Sequence, residues 1–202
     1  MLEQPSSSPG PRLGPAGYEV FMLRPNLLDI PQVPFPDGFG IRPMRLDEGG
    51  VWADIERDAE EYFPITEQTF HAEFDRDLPA TQWRSFFVVD HKGVAVGTIS
   101  AWYDRDFKAQ DYGVIHWIAI RPAYQRRGLG KAAMSFALHQ LARRHQRAFL
   151  GTQTKRLGAI RMYLDFGFVP DLDTPGFVDV WREVNQQLRH PVLDMVLAQA
   201  KP

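Results

Sequence analysis

Residues 113–131 constrain what this chain can fold into more than any other stretch. Residues 114–120 are an almost unbroken apolar, β-branched and aromatic run, the composition of a strand buried on both faces inside a sheet. Pro122 ends the strand, because proline cannot donate to a sheet ladder. Gln125, Arg126, Arg127, Gly128, Leu129, Gly130 and Lys131 then lead into a helical pattern that reaches about residue 144, with Leu129, Ala133, Phe136, Ala137 and Leu141 at helical spacing. Backbone N–H groups at a glycine-rich helix start, set between cations, make an anion site, most naturally one for a pyrophosphate.

A chain of 202 residues holds one well-cored domain and is too short for two ordinary domains to be the default. The expected organisation is a disordered tail over residues 1–17, a proline-rich packed arm over 18–38 and a single domain over 39–202. The tail carries Ser6, Ser7 and Ser8 among four prolines and has little to bury. The arm sets Phe21, Met22, Leu23, Leu27, Leu28, Ile30 and Phe35 among Pro25, Pro31, Pro34 and Pro36. It is too apolar for a linker and too interrupted for a regular helix or a central strand. It is expected to pack over the domain or over a neighbouring subunit, where a homodimer contact would lie.

No apolar run approaches the ~20 residues that span a bilayer, so no membrane partner is expected and a cytoplasmic location is the default. The absence of cysteine removes disulfides, thiolate metal sites and a Cys nucleophile, and no metal is expected. A formal charge of -2 gives no global attraction to nucleic acid, so anion binding must be local. Arg143, Arg144 and Arg147 sit near a helix C-terminus, where cations are favoured in any case.

In chain order, residues 39–45 read as a first strand. Asp47 caps a helix reaching about residue 61, with Trp52, Ile55 and Ala59 along one face, and a second short helix covers about 66–75. Strands over 83–89 and 94–103 flank Asp90, His91, Lys92 and Gly93, a strong hairpin signal, and 104–111 read as a polar loop. Beyond the central helix come a strand over 149–154, a helix over 157–166 closed by Gly167, and a strand over 168–170. Thr174 and Pro175 resemble a helix cap and first position before a helix over 178–188. For residues 192–198 a strand is favoured over a helix. The sum is an α/β chain.

Three phosphate chemistries compete for Gly128 to Ala133. A P-loop needs glycine at position 125 and Ser or Thr at 132, where Gln125 and Ala132 stand. A dinucleotide fingerprint matches as letters, but it needs the first glycine directly after the strand and an acid about 20 residues on. Here residues 121–127 intervene and 148–155 hold no acid. An ordinary tight turn with surface arginines is the bland alternative.

The third chemistry comes from a resemblance. The run Ile118, Ala119, Ile120, Arg121, Pro122, Ala123, Tyr124, Gln125, Arg126, Arg127, Gly128, Leu129, Gly130, Lys131 resembles the acetyl-CoA signature of the GNAT acyltransferase superfamily, Gln/Arg-x-x-Gly-x-Gly/Ala. Downstream, Ala159, Tyr163, Gly167 and Phe168 resemble its second signature, Ala-x-x-x-Tyr-x-x-x-Gly-Phe. The resemblance covers about residues 39–170. It implies a mixed central sheet, splayed open after the central strand and flanked by helices. It implies acetyl-CoA as cosubstrate, with backbone groups of Ile118, Ala119 and Ile120 pairing with pantetheine. The amides of residues 125–131 would hold the pyrophosphate, and Arg126, Arg127 and Lys131 would add contacts.

The implied activity is transfer of an acetyl group to a primary amine, directly, in a ternary complex. An amine attacks only as the neutral species, so a base or water chain helps; the oxyanion needs a donor, for which the N–H near Ile118 or Ala119 is the candidate. Family carry-over puts Tyr163 as the acid that protonates the leaving thiol. Where some relatives carry Glu, this chain has Val114; His116, on the same face, is the candidate base, with Glu60 and Glu61 as alternatives. Arg156 stands where many relatives have Asn. The acceptor stays open between small-molecule and peptide amines, and Trp52, Tyr62, Phe63, Trp102 and Trp117 suggest a partly apolar pocket. A CoA-binding regulatory module without turnover is the alternative from another class, and a nicotinamide oxidoreductase is a distant third.

Overall fold

The computed structural model describes residues 12–200, so the tail expectation for residues 1–11 lies outside the described residues. The chain divides into two units, one made of residues 26–148 and the other of the N-terminal segment up to Pro25 together with Phe149 onward.

The first unit is built on four antiparallel strands in the spatial order β3-β4-β5-β6: β3 (Phe39–Pro43), β4 (Ser85–Asp90), β5 (Ala95–Phe107) and β6 (Gln110–Ile120). Asp90 fixes the β4–β5 turn by accepting the N–H groups of Lys92 and Val94 on its carboxylate. The expected polar loop over 104–111 is instead the tip of the β5–β6 hairpin, paired as far as Phe107 opposite Gln110. Its two turn residues, Lys108 and Ala109, both have positive φ, the geometry of a primed hairpin turn, without the Asn or Gly that would have signalled it.

Helices cover both faces of these strands. Phe86 and Phe87 are adjacent in β4 and so point to opposite faces. Phe86 meets Phe136 of α4 (Leu129–Ala142), with ring centroids 4.9 Å apart. Phe87 joins the core under α1 (Gly49–Ala59) and α2 (Glu67–Phe74), with Met44, Trp52, Ile55, Ile65, Phe70 and Phe74. A third helix, α3 (Leu78–Arg84), takes the place expected for the start of a strand, because Asp77 caps it through the Ala80 N–H. Residues 26–38 lie along α4, where Ser135 Oγ donates to the Pro31 carbonyl at 2.7 Å and accepts the Val33 N–H at 3.1 Å.

Gly97 of β5 permits a close approach to β6. A Cβ placed there would sit 2.4 Å from Ile120 Cδ1 and 2.7 Å from the Ala119 carbonyl oxygen. Gly97→Ala is expected to lower stability by about 1–3 kcal/mol, read as a fall in the urea midpoint at unchanged slope.

In the second unit, β1 (Leu13–Gly14) and β8 (Val169–Pro170) pair antiparallel with β2 (Gly17–Arg24), and β7 (Ala148–Gln153) is the other neighbour of β2. The segment expected to resist a central strand thus supplies one. Its prolines begin only at Pro25, and the alternating burial of residues 17–24 is that of a paired strand. Helix α5 (Leu157–Asp165) precedes Gly167, and Phe177, Val180, Trp181, Val184 and Leu188 form the buried stripe of α6 (Phe177–Leu188). Residues 192–198 belong to a helix, α7 (Pro191–Gln199), and not to a strand. His190 accepts the Val192 N–H and Pro191 occupies the first turn, a start signal that outweighs the apolar run.

Candidate active site

β6 is not regular. Ala119 pairs with Thr98 and His116 with Ser100, so Trp117 and Ile118 together face Ile99 alone. This is a β-bulge, and Trp117 at its centre has φ of +46°, a left-handed conformation that costs a non-glycine residue about 1–3 kcal/mol. Thr98 Oγ1 lies 3.0 Å from the Trp117 carbonyl oxygen and grips the bulge from β5. Past it, Ile118 is half-buried while Ala119 and Ile120 are buried.

The strand then delivers the chain to the phosphate-type loop. Gln125 Nε2 donates to the Ile120 carbonyl at 2.9 Å, bracing the loop against the strand end. Pro122–Tyr124 form one 3-10 turn, and Arg121 pairs with Asp58 of α1. Arg126 has φ of +64° and Gly128 φ of +85°, so the backbone reverses twice in three residues before α4 begins at Leu129. The first backbone bond closing α4 runs from the Ala132 N–H to the Gly128 carbonyl. First-turn N–H groups of a helix have no carbonyl within it, which makes this end receptive to an anion. Arg127 lies over the Tyr124 ring and donates to the Ala123 carbonyl; Arg126, Arg127 and Lys131 are all exposed around the loop.

His116 stands one residue before the bulge. Its Nε2 is 3.0 Å from Glu73 Oε2 on α2, and its side chain is 31% exposed. The hydrogen bond with His116 holds the Glu73 carboxyl below the usual carboxylate range against the opposing effect of burial. The Trp117 indole acts in the same direction without closing a hydrogen bond of its own. An ionised Glu73 can only accept, so Nε2 is the protonated nitrogen, and in the neutral imidazole Nδ1 is then the one that carries the lone pair. Around this pair, Trp52 packs against Trp117, Phe70 and Phe74 at centroid distances of 5.1, 5.5 and 5.6 Å, and Phe74 reaches both Trp102 and His116.

Because Glu73 is depressed in the folded state, its contribution to stability is present above the unfolded carboxylate pKa of about 4.3 and is lost as pH falls through the folded value. Glu73→Gln is therefore expected to flatten the fall in melting temperature on acidification below about pH 4 and to leave its neutral-pH slope unchanged.

The first unit thus brings together His116, Ile118, Ala119, Ile120 and residues 125–131. Tyr163 belongs to the second unit, on α5, buried and in edge contact with Phe168. Glu60 turns back to accept the Tyr62 N–H and Glu61 is exposed. Tyr62 and Phe63 pair with each other, and neither belongs to the Trp52 core cluster. Glu73, Thr98 and Glu56 carry no motif and join the site only through tertiary contacts. The signal for Glu56 was there: it follows Trp52 by four residues and so lies on the buried face of α1. Among the described residues no group of three or more His, Cys, Asp or Glu is gathered to hold a metal, and no helix is long and apolar enough to cross a membrane.

The profile of the acetyltransferase (GNAT) family matches residues 52–168, more than half of the chain. The chain belongs to this family. The match begins on α1 and ends just past α5, so it contains the GNAT bulge strand, the glycine loop and Tyr163. No curated protein sequence matches the chain. Among solved structures it is similar to a GCN5-related N-acetyltransferase from Sphaerobacter thermophilus, at 20% identity and a TM-score of 0.58 over 76% of this chain and 48% of that one. It is similar also to the ribosomal-protein-S18-alanine N-acetyltransferase of Escherichia coli, at 22% identity and 0.52 over 65% and 77%. The NatC complex bound to Gag peptide and CoA contains a further similar chain, at 19% and 0.53 over 65% and 84%. The chain spans about half the length of the Sphaerobacter protein. At these identities the likeness shows the fold: an open mixed sheet flanked by helices, the GNAT fold that the signatures implied.

Proposed function

We propose that this chain transfers an acetyl group from acetyl-CoA to a primary amine by direct attack in a ternary complex. The observation that carries the proposal is the bulge at Trp117 placed one strand-end away from a glycine loop with two positive-φ residues. The pair supplies what an acyl-CoA thioester needs: a backbone donor at the carbonyl and a cluster of N–H groups for the pyrophosphate. Ile118, Ala119 and Ile120 align the pantetheine, and residues 125–131 hold the phosphates with Arg126, Arg127 and Lys131 as cations.

In the reaction, the amine gives its proton to His116 Nδ1, directly or through a water, while Glu73 stabilises the imidazolium from Nε2. The nitrogen lone pair forms a bond to the thioester carbon, and the electron pair displaced onto the carbonyl oxygen is met by the N–H of Ile118 or Ala119. Collapse expels the CoA sulfur, which takes a proton from Tyr163. The amide and free CoA thiol leave. The reading places the chain in the cytoplasm. It takes the acceptor to be a small-molecule or peptide amine, and the partly buried Trp102 and Trp117 favour an acceptor with an apolar part beside its amine. Two similar structures are named for protein or peptide targets, which supports including N-terminal peptides.

The test is CoA thiol release with acetyl-CoA across small amines, amino acids, aminoglycosides and N-terminal peptides. At least one amine should be acetylated in step with thiol release, and Tyr163→Phe should lower kcat about tenfold, because a thiol with a pKa near 8.5 leaves tolerably without help. Binding of CoA with no amine acetylated would overturn the proposal in favour of a regulatory CoA-binding module.

A further inference from the structure

Glu56 is a buried carboxyl that the reaction above does not use. It lies on α1, 5% exposed, with Oε1 2.5 Å from Thr98 Oγ1 on β5. The same hydroxyl lies 3.0 Å from the Trp117 carbonyl oxygen, so Glu56, Thr98 and the bulge carbonyl form one continuous chain. Two residues further along α1, Asp58 pairs with Arg121 at the end of β6, which fixes the helix to the strand at a second point.

The consequence follows from peptide geometry. The Trp117 C=O and the Ile118 N–H share one trans peptide plane and point in opposite directions. A hydroxyl that holds the Trp117 oxygen toward β5 therefore aims the Ile118 N–H away from β5. Thr98 has a single hydroxyl proton, so it holds the Trp117 oxygen only by donating to it; the chain closes when Glu56, as the neutral carboxylic acid, donates in turn to Thr98 Oγ1 and so stops the hydroxyl from rotating.

We propose that Glu56 and Thr98 are positioning residues for the oxyanion donor, acting through the Trp117 carbonyl to aim the Ile118 N–H at the thioester oxygen. The inference rests on the acetyl-transfer reading above. It makes α1 the element that sets the geometry of the donor strand.

The experiment uses acetyl-CoA carrying ¹³C at the thioester carbonyl, bound to the full chain and observed by isotope-edited infrared spectroscopy. In the wild type the carbonyl band should move to lower frequency than in free acetyl-CoA. Thr98→Val should return it most of the way, with the acetyl-CoA dissociation constant changed less than about threefold, and should lower kcat about tenfold, a fraction of the loss seen when an oxyanion donor is removed outright. Thr98→Ser, which keeps the hydroxyl, should restore both, and Glu56→Gln should lie between Thr98→Ser and Thr98→Val. A bound carbonyl that is unshifted in the wild type, or indifferent to Thr98→Val, would overturn the inference and leave acetyl transfer standing. Failure of the wild type to bind acetyl-CoA would defeat both. A purely structural role would lower the melting temperature of Thr98→Val and leave band and kcat unchanged.

Discussion

Gly128→Val is expected to raise the acetyl-CoA dissociation constant at least ~100-fold, a loss of about 2.7 kcal/mol of binding free energy. Gly128 is the residue before α4 and has φ of +85°, a conformation that a β-branched side chain resists by about 1–2 kcal/mol. The site has room, since the nearest atom to an added Cβ is Pro36 Cγ at 4.0 Å. The chain can therefore still fold with valine there, and the damage falls on the backbone path that presents the N–H groups. Gly93→Val supplies the control: Gly93 has φ of +78° in the β4–β5 turn with nothing within 4 Å of an added Cβ. Both variants should lose similar stability in urea, and only Gly128→Val should lose acetyl-CoA in a calorimetric titration. Equal binding by the two would remove the pyrophosphate role from this loop.

His116→Gln is expected to lower kcat by about 10²-fold with acetyl-CoA affinity unchanged, the usual effect of removing a positioned general base. Glu73→Gln should cost less, about tenfold, since the imidazole remains but loses the carboxylate that fixes its tautomer. A His116→Gln variant that keeps its rate would move the base to water, to Glu60 or to Glu61.

How far the sequence carries the account depends on the kind of interaction. The buried strand, the stop at Pro122 and the glycine-rich helix start are local patterns, and the β5–β6 strands, the loop and α4 stand where those patterns put them. What escaped was set by tertiary pairing or by short caps. The bulge at Trp117 exists only because Thr98 and Ser100 pair with residues three apart, and no composition of residues 114–120 announces it. Glu73 reaches His116 across 43 positions, so its role depends on how α2 packs over β6. Residues 17–24 form a strand although prolines follow directly from Pro25, because those prolines restrict only the segment after it. Residues 192–198 carry an apolar run that suits a strand, and Pro191 with the His190 cap sets a helix instead. Tyr163 rests on the second family signature, a pattern of letters that local physics alone does not turn into an acid.

Direct transfer is tested most closely by a single-turnover reaction with ¹⁴C-acetyl-CoA and an accepted amine, with CoA thiol, acetylated amine and intact protein mass followed together. One acetylated amine should form per thiol released, with no acetyl group on the protein at any time. An acetylated protein that forms before the amine product, or thiol release without acetylated amine, would contradict direct transfer at the His116 and Ile118 site.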